Sequence, residues 1–306
     1  MFDKVVCYNR RVFTEWGYED PAELYWNDEW TWNKFYEMCV DFSDGDLERY
    51  ALDGWFFPAG IMHSSGTNIV SYDPDEMKFV SNVDDPRLER AENLLYDLTK
   101  NECAFPISAN GWKQRNDTNG YGMKDGKLLF YIAGVWSFQT TVEETAAVFG
   151  DVREKELMLV PLPRDDEGDG EYHLESRVVG YVMVKGGKNP EGVGLFASCE
   201  RFKVLDPTVV NIDRKQLKEV YLWTDEMLDM WDECYRISSE AYKNGKAIVL
   251  YGDGLGNANS AASQFETQGF SPDVQTWAQL KEANGDKLEY ALEELNDEIA
   301  GFTYED

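Results

Sequence analysis

The stretch Leu128-Leu129-Phe130-Tyr131-Ile132-Ala133, followed at once by Gly134, is the most informative part of this 306-residue sequence. Its side chains are apolar or aromatic and do not alternate with polar residues. Such an uninterrupted run is typical of a strand that is covered on both faces, as strands of a parallel sheet are. Further strands are predicted at 157–160, 178–184 and 247–251.

Helical patterns surround these strands. Asp20-Pro21, Asp85-Pro86 and Asn189-Pro190 each place a capping side chain before a proline at the first helical position. Another helix is predicted from apolar residues that recur on one face: Trp32, Phe35, Tyr36, Cys39 and Val40. The helix after Asn189-Pro190 is predicted to bury a similar set: Leu195, Phe196, Cys199 and Phe202.

The remaining predicted elements complete a mixed pattern. Helices are expected over 55–65, 137–149, from about 213, from about 224, over 272–282 and over 286–299, with a hairpin formed by 67–71 and 78–81. Strands mixed with helices of this length indicate an α/β architecture. No shift in composition marks a linker, so two lobes, if present, would be connected by more than one crossing of the chain.

The charge of the chain excludes several classes of partner. With 29 Lys and Arg against 58 Asp and Glu, the formal net charge is −29. This charge disfavours nucleic acids, whose phosphates would be repelled, and also anionic membrane surfaces. The hydrophobic fraction of 43% is sufficient for a folded core. No apolar run approaches the ~20 residues of a membrane helix, and residues 1–7 have too short an apolar stretch for a signal peptide.

Metal and redox sites are not indicated. The five cysteines are scattered without a CxxC pair, and two histidines make a histidine-based zinc site improbable. Asp165-Asp166-Glu167-Gly168-Asp169-Gly170 resembles the start of a calcium loop, but Ser176 stands where a glutamate is needed. A solvated turn is the better interpretation, and no cofactor is expected. The aromatic content of 14% instead favours flat apolar surfaces suited to a ligand.

Several motifs resemble those of a known family in the same order along the chain. The family is the extracellular solute-binding proteins (family 1, sugar-type) of ABC importers. The resemblance is carried by residues 8–13 (YNRRVF), 17–21 (GYEDP), 30–35 (WTWNKF), 126–127 with 134–136 (GK and GVW), 160–163 (VPLP) and 188–191 (KNPE). Each piece is short, and their order over about residues 8–200 makes the match reasonably specific.

The resemblance implies an α/β fold with the periplasmic-binding-protein-like two-lobe architecture (type II). The "YNK"-like segment lies well inside family members but begins here at Tyr8. The first lobe is therefore expected to be incomplete, without the lipoprotein signal, its anchoring cysteine and the early strands. The expected division is 8–177 mainly second lobe, 178–250 mainly the returning part of the first lobe, and 251–306 crossover and helices packing on the second lobe.

The implied function is capture of a mono- or oligosaccharide between two lobes, without catalysis. The implied partners are the ABC permease membrane subunits, and no nucleic acid. The implied location is extracytoplasmic, with a lipid anchor in the full-length form, and the chain is expected to be a monomer. Sugars present C–H faces that stack on aromatic rings, and hydroxyls that pair with polar side chains.

Candidate ligand-binding residues follow from this chemistry. Trp136 is the strongest, because it leaves the predicted strand just after Gly134 and corresponds to the family's cleft tryptophan. Trp55 is favoured within the next aromatic cluster, with Phe57 also considered and His63 near the same helical face. Core packing is the alternative for each of these residues.

Polar candidates lie near two other predicted strands. Asp253 and Asn257 follow the strand at 247–251 in a glycine-rich segment, for which an ordinary turn is the alternative. Arg177 precedes the strand at 178–184, where a surface salt bridge is the alternative. Two other functions stay open: a carbohydrate-active hydrolase that uses a carboxylate pair, and a truncated chain with no binding of its own.

Overall fold

The fold was analysed in a computed structural model that describes Phe2, residues 4–116, 120–176, 183, 186–249 and 251–301. The strands are β1 (Lys4–Asn9), β2 (Tyr50–Asp53), β3 (Val70–Asp73), β4 (Lys78–Ser81), β5 (Leu128–Gly134), β6 (Leu157–Val160), β7 (Glu175–Ser176) and β8 (Ile248–Val249). The helices are α1 (Arg10–Trp16), α2 (Pro21–Trp26), α3 (Trp32–Phe42), α4 (Phe57–Ser64), α5 (Pro86–Lys100), α6 (Val142–Val148), α7 (Pro190–Leu205), α8 (Pro207–Glu219), α9 (Asp225–Lys243), α10 (Asn257–Ala262) and α11 (Trp277–Gly301).

The central sheet has four strands in the order β2-β5-β1-β6. β5 is covered on both faces, as its apolar run predicts. The sheet is nevertheless mixed, because β5 is parallel to β2 and antiparallel to β1, which is itself antiparallel to β6. The expectation of a parallel sheet is therefore only half right. An apolar run indicates that both faces of a strand are buried, but it does not indicate whether the neighbouring strands are parallel or antiparallel.

Local helix signals were predicted well. Asp20 caps α2 and Asp85 caps α5, each by accepting a backbone N–H and each followed by proline. The predicted hairpin forms as the antiparallel pair β3–β4. In α3, however, Val40 is exposed, and Met38 and Phe42 are buried instead.

Three predicted helices differ in extent or environment. The two expected at the end of the chain form one continuous helix, α11, that passes through Gly285. Burial of Leu288 and Leu292 offsets the ~1 kcal/mol that glycine costs in a helix. The helix expected over 137–149 divides into a 3₁₀ turn, Val135–Phe138, and α6.

The predicted apolar face of α7 is a clear correction. Leu195, Phe196, Cys199 and Phe202 are all exposed rather than buried. Cys39 and Cys234, in contrast, are buried as predicted. The predicted strand at 178–184 lies outside the described residues apart from Met183.

The described part of the chain holds no helix long and apolar enough to span a bilayer. Among the same residues, no group of three His, Cys, Asp or Glu side chains is arranged to hold a metal ion. In the calcium-like turn, the Asp165 carboxylate accepts two hydrogen bonds from Arg90, at 2.8 and 2.6 Å. That carboxylate is thus committed to an ion pair with α5.

Glu92 is an unusual member of the core. It lies on the inner face of α5, fully buried, and neither carboxylate oxygen has a hydrogen-bond partner among the described residues. Burial, with a smaller contribution from Glu266, raises the pKa of Glu92 to about 8. A carboxylic acid with a raised pKa in the folded state binds more protons there than in the unfolded chain, so stability decreases as pH rises above the unfolded value.

We expect Glu92→Gln to be stabilising at alkaline pH, because it removes the cost of ionising a buried acid. The gain in free energy of unfolding should be near zero at about pH 4 and on the order of 4 kcal/mol at pH 8. Urea unfolding at a series of pH values measures it. Glu89→Gln, on the exposed face of the same helix, is the control. A Glu92→Gln profile parallel to that of the unmodified chain would contradict this account.

Candidate functional site

Three chain segments end at one edge of the central sheet. β2 and β5 run parallel, with Asp53 opposite Tyr131. Residues 103–105 run parallel on the other side of β2, where the Leu52 N–H donates to the Cys103 carbonyl and the Phe105 N–H donates to the Leu52 carbonyl, both at 2.9 Å. Because these segments point the same way, their carboxyl ends lie together, which is the usual position of ligand sites in α/β sheets.

Each of the three segments is followed by an aromatic side chain. Trp55 and Phe56 follow β2, Trp112 follows the segment 103–105 after a short loop, and Trp136 follows β5. Trp55, Trp112 and Trp136 are 38%, 58% and 59% exposed, and Phe56 is half-buried beneath them. We call these four residues the aromatic edge. Exposed tryptophans grouped in this way are uncommon on an ordinary surface, because they leave apolar area in water.

The first half of the aromatic edge is a pair of nearly parallel indoles. The ring centroids of Trp55 and Trp112 lie 6.1 Å apart, with 10° between the planes. Phe270 supports Trp55 edge-on at 5.8 Å. Trp112 has a φ of 59°, and its N–H donates to the Ile107 carbonyl at 2.9 Å. The two flat faces are therefore held by packing and by the backbone of the loop.

The second half is formed by Trp136 and Phe56. Their centroids lie 6.5 Å apart with the planes nearly perpendicular, at 89°. The Trp136 indole folds back over Gly134, where a methyl group would overlap the indole nitrogen. Gly134 has an ordinary φ of −65°, so glycine is required here by space and not by backbone conformation. The Gly-x-Trp spacing thus fixes how the indole lies at the end of β5.

The turn between β2 and the aromatic edge requires a second glycine. Gly54 has a φ of 110°, and a Cβ atom there would lie 3.1 Å from the Ile132 carbonyl oxygen. Next to it, the buried Asp53 carboxylate accepts the Asn116 N–H at 2.8 Å, which ties the loop that carries Trp112 to the sheet. The loop and the turn are therefore positioned by the same strand end.

A buried ion cluster lies directly behind the aromatic edge. Lys4 stands opposite Gly134 in the sheet, and its Nζ lies 3.3 Å from Oε1 of Glu175 and 5.9 Å from the centroid of Phe56. The second carboxylate oxygen of Glu175 lies 3.7 Å from Nδ1 of His63. All three side chains are at least 95% buried. Phe56 thus separates the cluster from Trp136.

The cluster also connects the central sheet to the two-stranded sheet formed by β7 and β8. Glu175 begins β7, which is paired in parallel with β8, and Phe2 forms an antiparallel bridge with Ser176. Burial alone would raise the pKa of Glu175, but the Lys4 ammonium and His63 outweigh it and hold that pKa well below the usual range, at about 2. Glu175 is therefore an ionised, structural carboxylate at neutral pH.

The structure separates the predicted aromatic and histidine candidates into two groups. Trp136 and Trp55 are exposed at the aromatic edge, where they can contact a ligand. Phe57 is fully buried beneath Gly269, and His63 is buried beside Glu175. These two belong to the core and to the ion cluster, because α4 turns their side chains inward.

The polar candidates are not joined to the aromatic edge by a described contact. Asn257 is exposed at the start of α10. Asp253 belongs to the 3₁₀ turn Gly252–Leu255, and its side chain is not described; Arg177 lies outside the described residues. Their role in ligand binding stays a prediction.

Sequence reasoning missed two parts of the site. Trp112 lies in a stretch rich in asparagine and glycine without an apolar pattern, and the short segment 103–105 that leads into it carries no strand pattern. An exposed tryptophan after Asn110-Gly111 was the available signal. Lys4 and Glu175 were missed because they lie 171 residues apart, and local sequence gives no sign that they pair.

Comparisons with solved structures repeatedly find proteins with the same fold as this chain. No protein-family model matches the sequence, and no curated protein matches it in a sequence search. Among solved structures, a substrate-binding protein of an ABC transporter from Listeria monocytogenes, in complex with cycloalternan, superposes with a TM-score of 0.56 and 12% identity. That match covers 98% of this chain and 70% of the other.

Two further structures agree. A solute-binding protein from Agrobacterium vitis with bound D-mannitol has a TM-score of 0.54 and 15% identity, over 98% of this chain and 72% of that one. A sugar transporter from Arthrobacter chlorophenolicus with bound laminaribiose has a TM-score of 0.54 and 12% identity, over 94% and 70%. The chain thus has the α/β fold of ABC-transporter solute-binding proteins, and the fold class inferred from the motifs is confirmed.

The ion cluster yields a testable consequence for stability. Removing one partner should leave an unpaired buried charge, so Glu175→Gln and Lys4→Met should each cost about 3–5 kcal/mol in free energy of unfolding. The double variant Lys4→Met with Glu175→Gln should lose far less than the sum of the single changes. Chemical denaturation of the four proteins gives the coupling energy.

The exposed pair Lys34–Glu19, with atoms 2.7 Å apart, is the matched control. Lys34→Met there should cost less than about 1 kcal/mol. Additive losses in the Lys4 and Glu175 cycle would contradict the inferred coupling.

Proposed function

We propose that this chain is the substrate-binding component of an ABC importer and that it captures a carbohydrate at the aromatic edge without catalysis. The observation that carries the proposal is the convergence of three exposed indoles at the carboxyl end of three parallel chain segments. The fold supports it, because the similar structures described above include complexes with mannitol, laminaribiose and cycloalternan.

The chemistry of the edge favours an uncharged, hydroxyl-rich ligand. Flat indole faces stack on the C–H faces of a sugar ring. Lys4 and Glu175, the charged pair behind Phe56, are buried and neutralise each other, so this pair offers no net charge for an ionic ligand. The net charge of −29 further disfavours anions. Trp55 and Phe56 are consecutive residues, so the two aromatic pairs are neighbours at the strand ends.

The lobes are assigned as part of this proposal. Residues 8–177 are taken as mainly the second lobe, and 178–250 as mainly the returning part of an incomplete first lobe. The parallel pair of β7, which ends at Ser176, and β8, which ends at Val249, supports crossings near these boundaries. Within 178–250, α9 packs on the second-lobe side, where the Tyr25 hydroxyl donates to Glu233 at 2.6 Å. The parts assigned to the first lobe are therefore α7 and α8.

Residues 251–306 are assigned as packing on the second lobe. The Phe79 N–H donates to Asn296 at 2.8 Å, and Lys281 pairs with Asp84 at 3.0 Å, so α11 lies against the hairpin and the start of α5. In this assignment the ligand lies at the boundary between the lobes. The permease subunits and an extracytoplasmic location follow from the proposed role.

A glycosidase is the less favoured alternative. It requires one carboxyl group with a raised pKa as general acid and a second one within about 5–10 Å. Near the aromatic edge, Glu175 has a lowered pKa and is paired with Lys4, and Asp53 binds a backbone amide. Glu92 does have a raised pKa, but it is buried on the inner face of α5. These environments favour binding without bond cleavage.

Calorimetric titration tests the proposal. A panel of laminaribiose, longer glucans, mannitol and ribitol should include at least one ligand with measurable heat. For that ligand, Trp136→Ala and Trp55→Ala should each weaken binding by roughly ten- to hundredfold, since each removes a stacking surface worth about 1.5–3 kcal/mol.

Trp26→Ala is the matched control, because Trp26 is equally exposed, at 57%, but lies on α2 away from the edge. It should leave affinity unchanged. Absence of heat with every sugar, or equal losses in all three variants, would overturn the proposal. Release of reducing sugar from the glucans during incubation would instead support the hydrolase.

A further inference from the structure

Arg115 is enclosed by aromatic rings three residues after Trp112. Its guanidinium carbon lies 4.3 Å from the ring centroid of Tyr121, 5.4 Å from that of Phe105 and 5.5 Å from that of Tyr50. The arginine side chain is only 12% exposed. A guanidinium group is attracted to the face of an aromatic ring, and the attraction is stronger where water is excluded. We call these three rings the arginine cage.

Glu48 supplies the polar contacts of the guanidinium group. Nη2 of Arg115 donates to the Glu48 carbonyl at 3.0 Å and lies 3.6 Å from Oε1 of the same residue. Nε of Arg115 is buried and has no hydrogen-bond partner among the described residues. Burying a charged group while one of its donors stays unpaired opposes folding. A gain in stability alone therefore does not account for this arrangement.

The residues on either side of Arg115 attach the loop that carries Trp112 to the central sheet. Gln114 accepts a hydrogen bond from the Tyr131 hydroxyl, and the Asn116 N–H donates to the Asp53 carboxylate at 2.8 Å. Asp53 and Tyr131 are opposite each other in the pairing of β2 with β5. Both attachments therefore involve one pair of opposed residues, where β2 ends.

The arginine cage attaches the same loop at a second level of the sheet. Tyr50 begins β2 and lies three residues before Asp53, which corresponds to about 10 Å along a strand. Contacts with Asp53 and Tyr131 alone would let the loop pivot about one level of the sheet. The contact of Arg115 with Tyr50 adds the second level and so determines the direction of the loop.

Trp112 needs this support because of its backbone conformation. Its φ of 59° lies in the left-handed region, which a bulky side chain adopts only where surrounding contacts hold it. Its own N–H is bonded to Ile107 within the loop, at 2.9 Å. The attachment to the sheet is made by residues 114–116. The stack of Trp112 on Trp55, with 6.1 Å between centroids and 10° between planes, therefore depends on those three residues.

We propose that Arg115 is a positioning residue of the aromatic edge, which holds Trp112 in its stack with Trp55 while its own guanidinium stays in the arginine cage. The inference rests on the proposed function and adds a residue that acts through Trp112. An indole that is already in place when the carbohydrate arrives has less freedom to lose on binding. Affinity therefore depends on Arg115, although the carbohydrate contacts the indoles.

Nuclear magnetic resonance of the indole N–H groups without any ligand tests the positioning itself. The signals are assigned by single Trp→Phe variants. In Arg115→Met, which keeps a long apolar side chain but removes the charge, the signals of Trp112 and Trp55 should shift or broaden. The signals of Trp26 and Trp136 should stay in place, because neither residue is part of this loop or of its stack.

Arg49 offers a matched control. Its side chain is 17% exposed, its guanidinium carbon lies 4.7 Å from the ring centroid of Trp16, and its Nε donates to the Phe42 carbonyl at 3.1 Å. Arg49 is thus also held by an aromatic ring and a backbone carbonyl, but its partners belong to α1 and α3. Arg49→Met should move the Trp16 signal and leave the signals of the aromatic edge unchanged.

Calorimetric titration tests whether Arg115 acts through Trp112. The probe is laminaribiose, or another member of the panel of longer glucans, mannitol and ribitol if that one binds instead. Arg115→Met should weaken binding roughly three- to tenfold in the otherwise unmodified chain. In a Trp112→Ala background the same change should alter affinity by less than about twofold, because the indole that it positions is already absent.

A second variant keeps the test decisive if Arg115→Met folds poorly. Tyr121→Leu removes the closest ring of the arginine cage and should move the same two indole signals. Unchanged Trp112 and Trp55 signals in the folded variants would overturn the proposal, as would equal losses of affinity with and without Trp112. If no sugar of the panel binds the unmodified chain, the proposed function fails, and the indole signals alone then support or overturn the positioning by Arg115.

Discussion

The register between β2 and β5 is the constraint on which the rest of the site depends. With Asp53 opposite Tyr131, both strands end at one edge, and the chain turns there at Gly54 and at Gly134. A slip of one residue would turn every side chain of the strand to the other face. The buried run of β5 cannot tolerate such a slip, because both of its faces are packed. Burial of one strand therefore fixes where Trp55 and Trp136 emerge.

The mixed direction of the sheet adds the second feature of the site. Because β1 is antiparallel to β5, its first residue, Lys4, lies beside the last residue of β5. This arrangement brings a buried ammonium group to the edge where the aromatic residues gather, and Glu175 at the start of β7 neutralises it. The Trp136 indole and the buried ion pair are separated by a single ring, that of Phe56.

Local features of the fold were accessible from the sequence. The caps at Asp20 and Asp85, the hairpin, and the buried run of β5 each depend on a few neighbouring residues, and all were predicted. The direction of β1 and the continuity of α11 depend on distant packing, and neither follows from local pattern. Of the predicted ligand-binding residues, Trp136 and Trp55 lie exposed at the aromatic edge, and each follows a recognisable apolar or glycine signal. Trp112 was not found, because its position depends on a three-residue segment that pairs with β2.

The exposed side chains of α7 show the limit of periodicity. Their apolar pattern predicted burial, and the structure leaves them exposed. The similar structures extend beyond this chain, since it covers 70–72% of those described above. A pattern of apolar residues indicates that a helix packs against another surface, but it does not indicate which part of a polypeptide forms that surface.

The central claim is that the indoles of the aromatic edge are the surface that holds the ligand. Nuclear magnetic resonance of the ten tryptophan indole N–H groups, assigned by single substitutions, tests this during titration with the sugar panel. The account predicts that the signals of Trp55, Trp112 and Trp136 shift together with one binding curve while that of Trp26 stays in place. Shifts confined to other tryptophans, or none with any sugar, would contradict it.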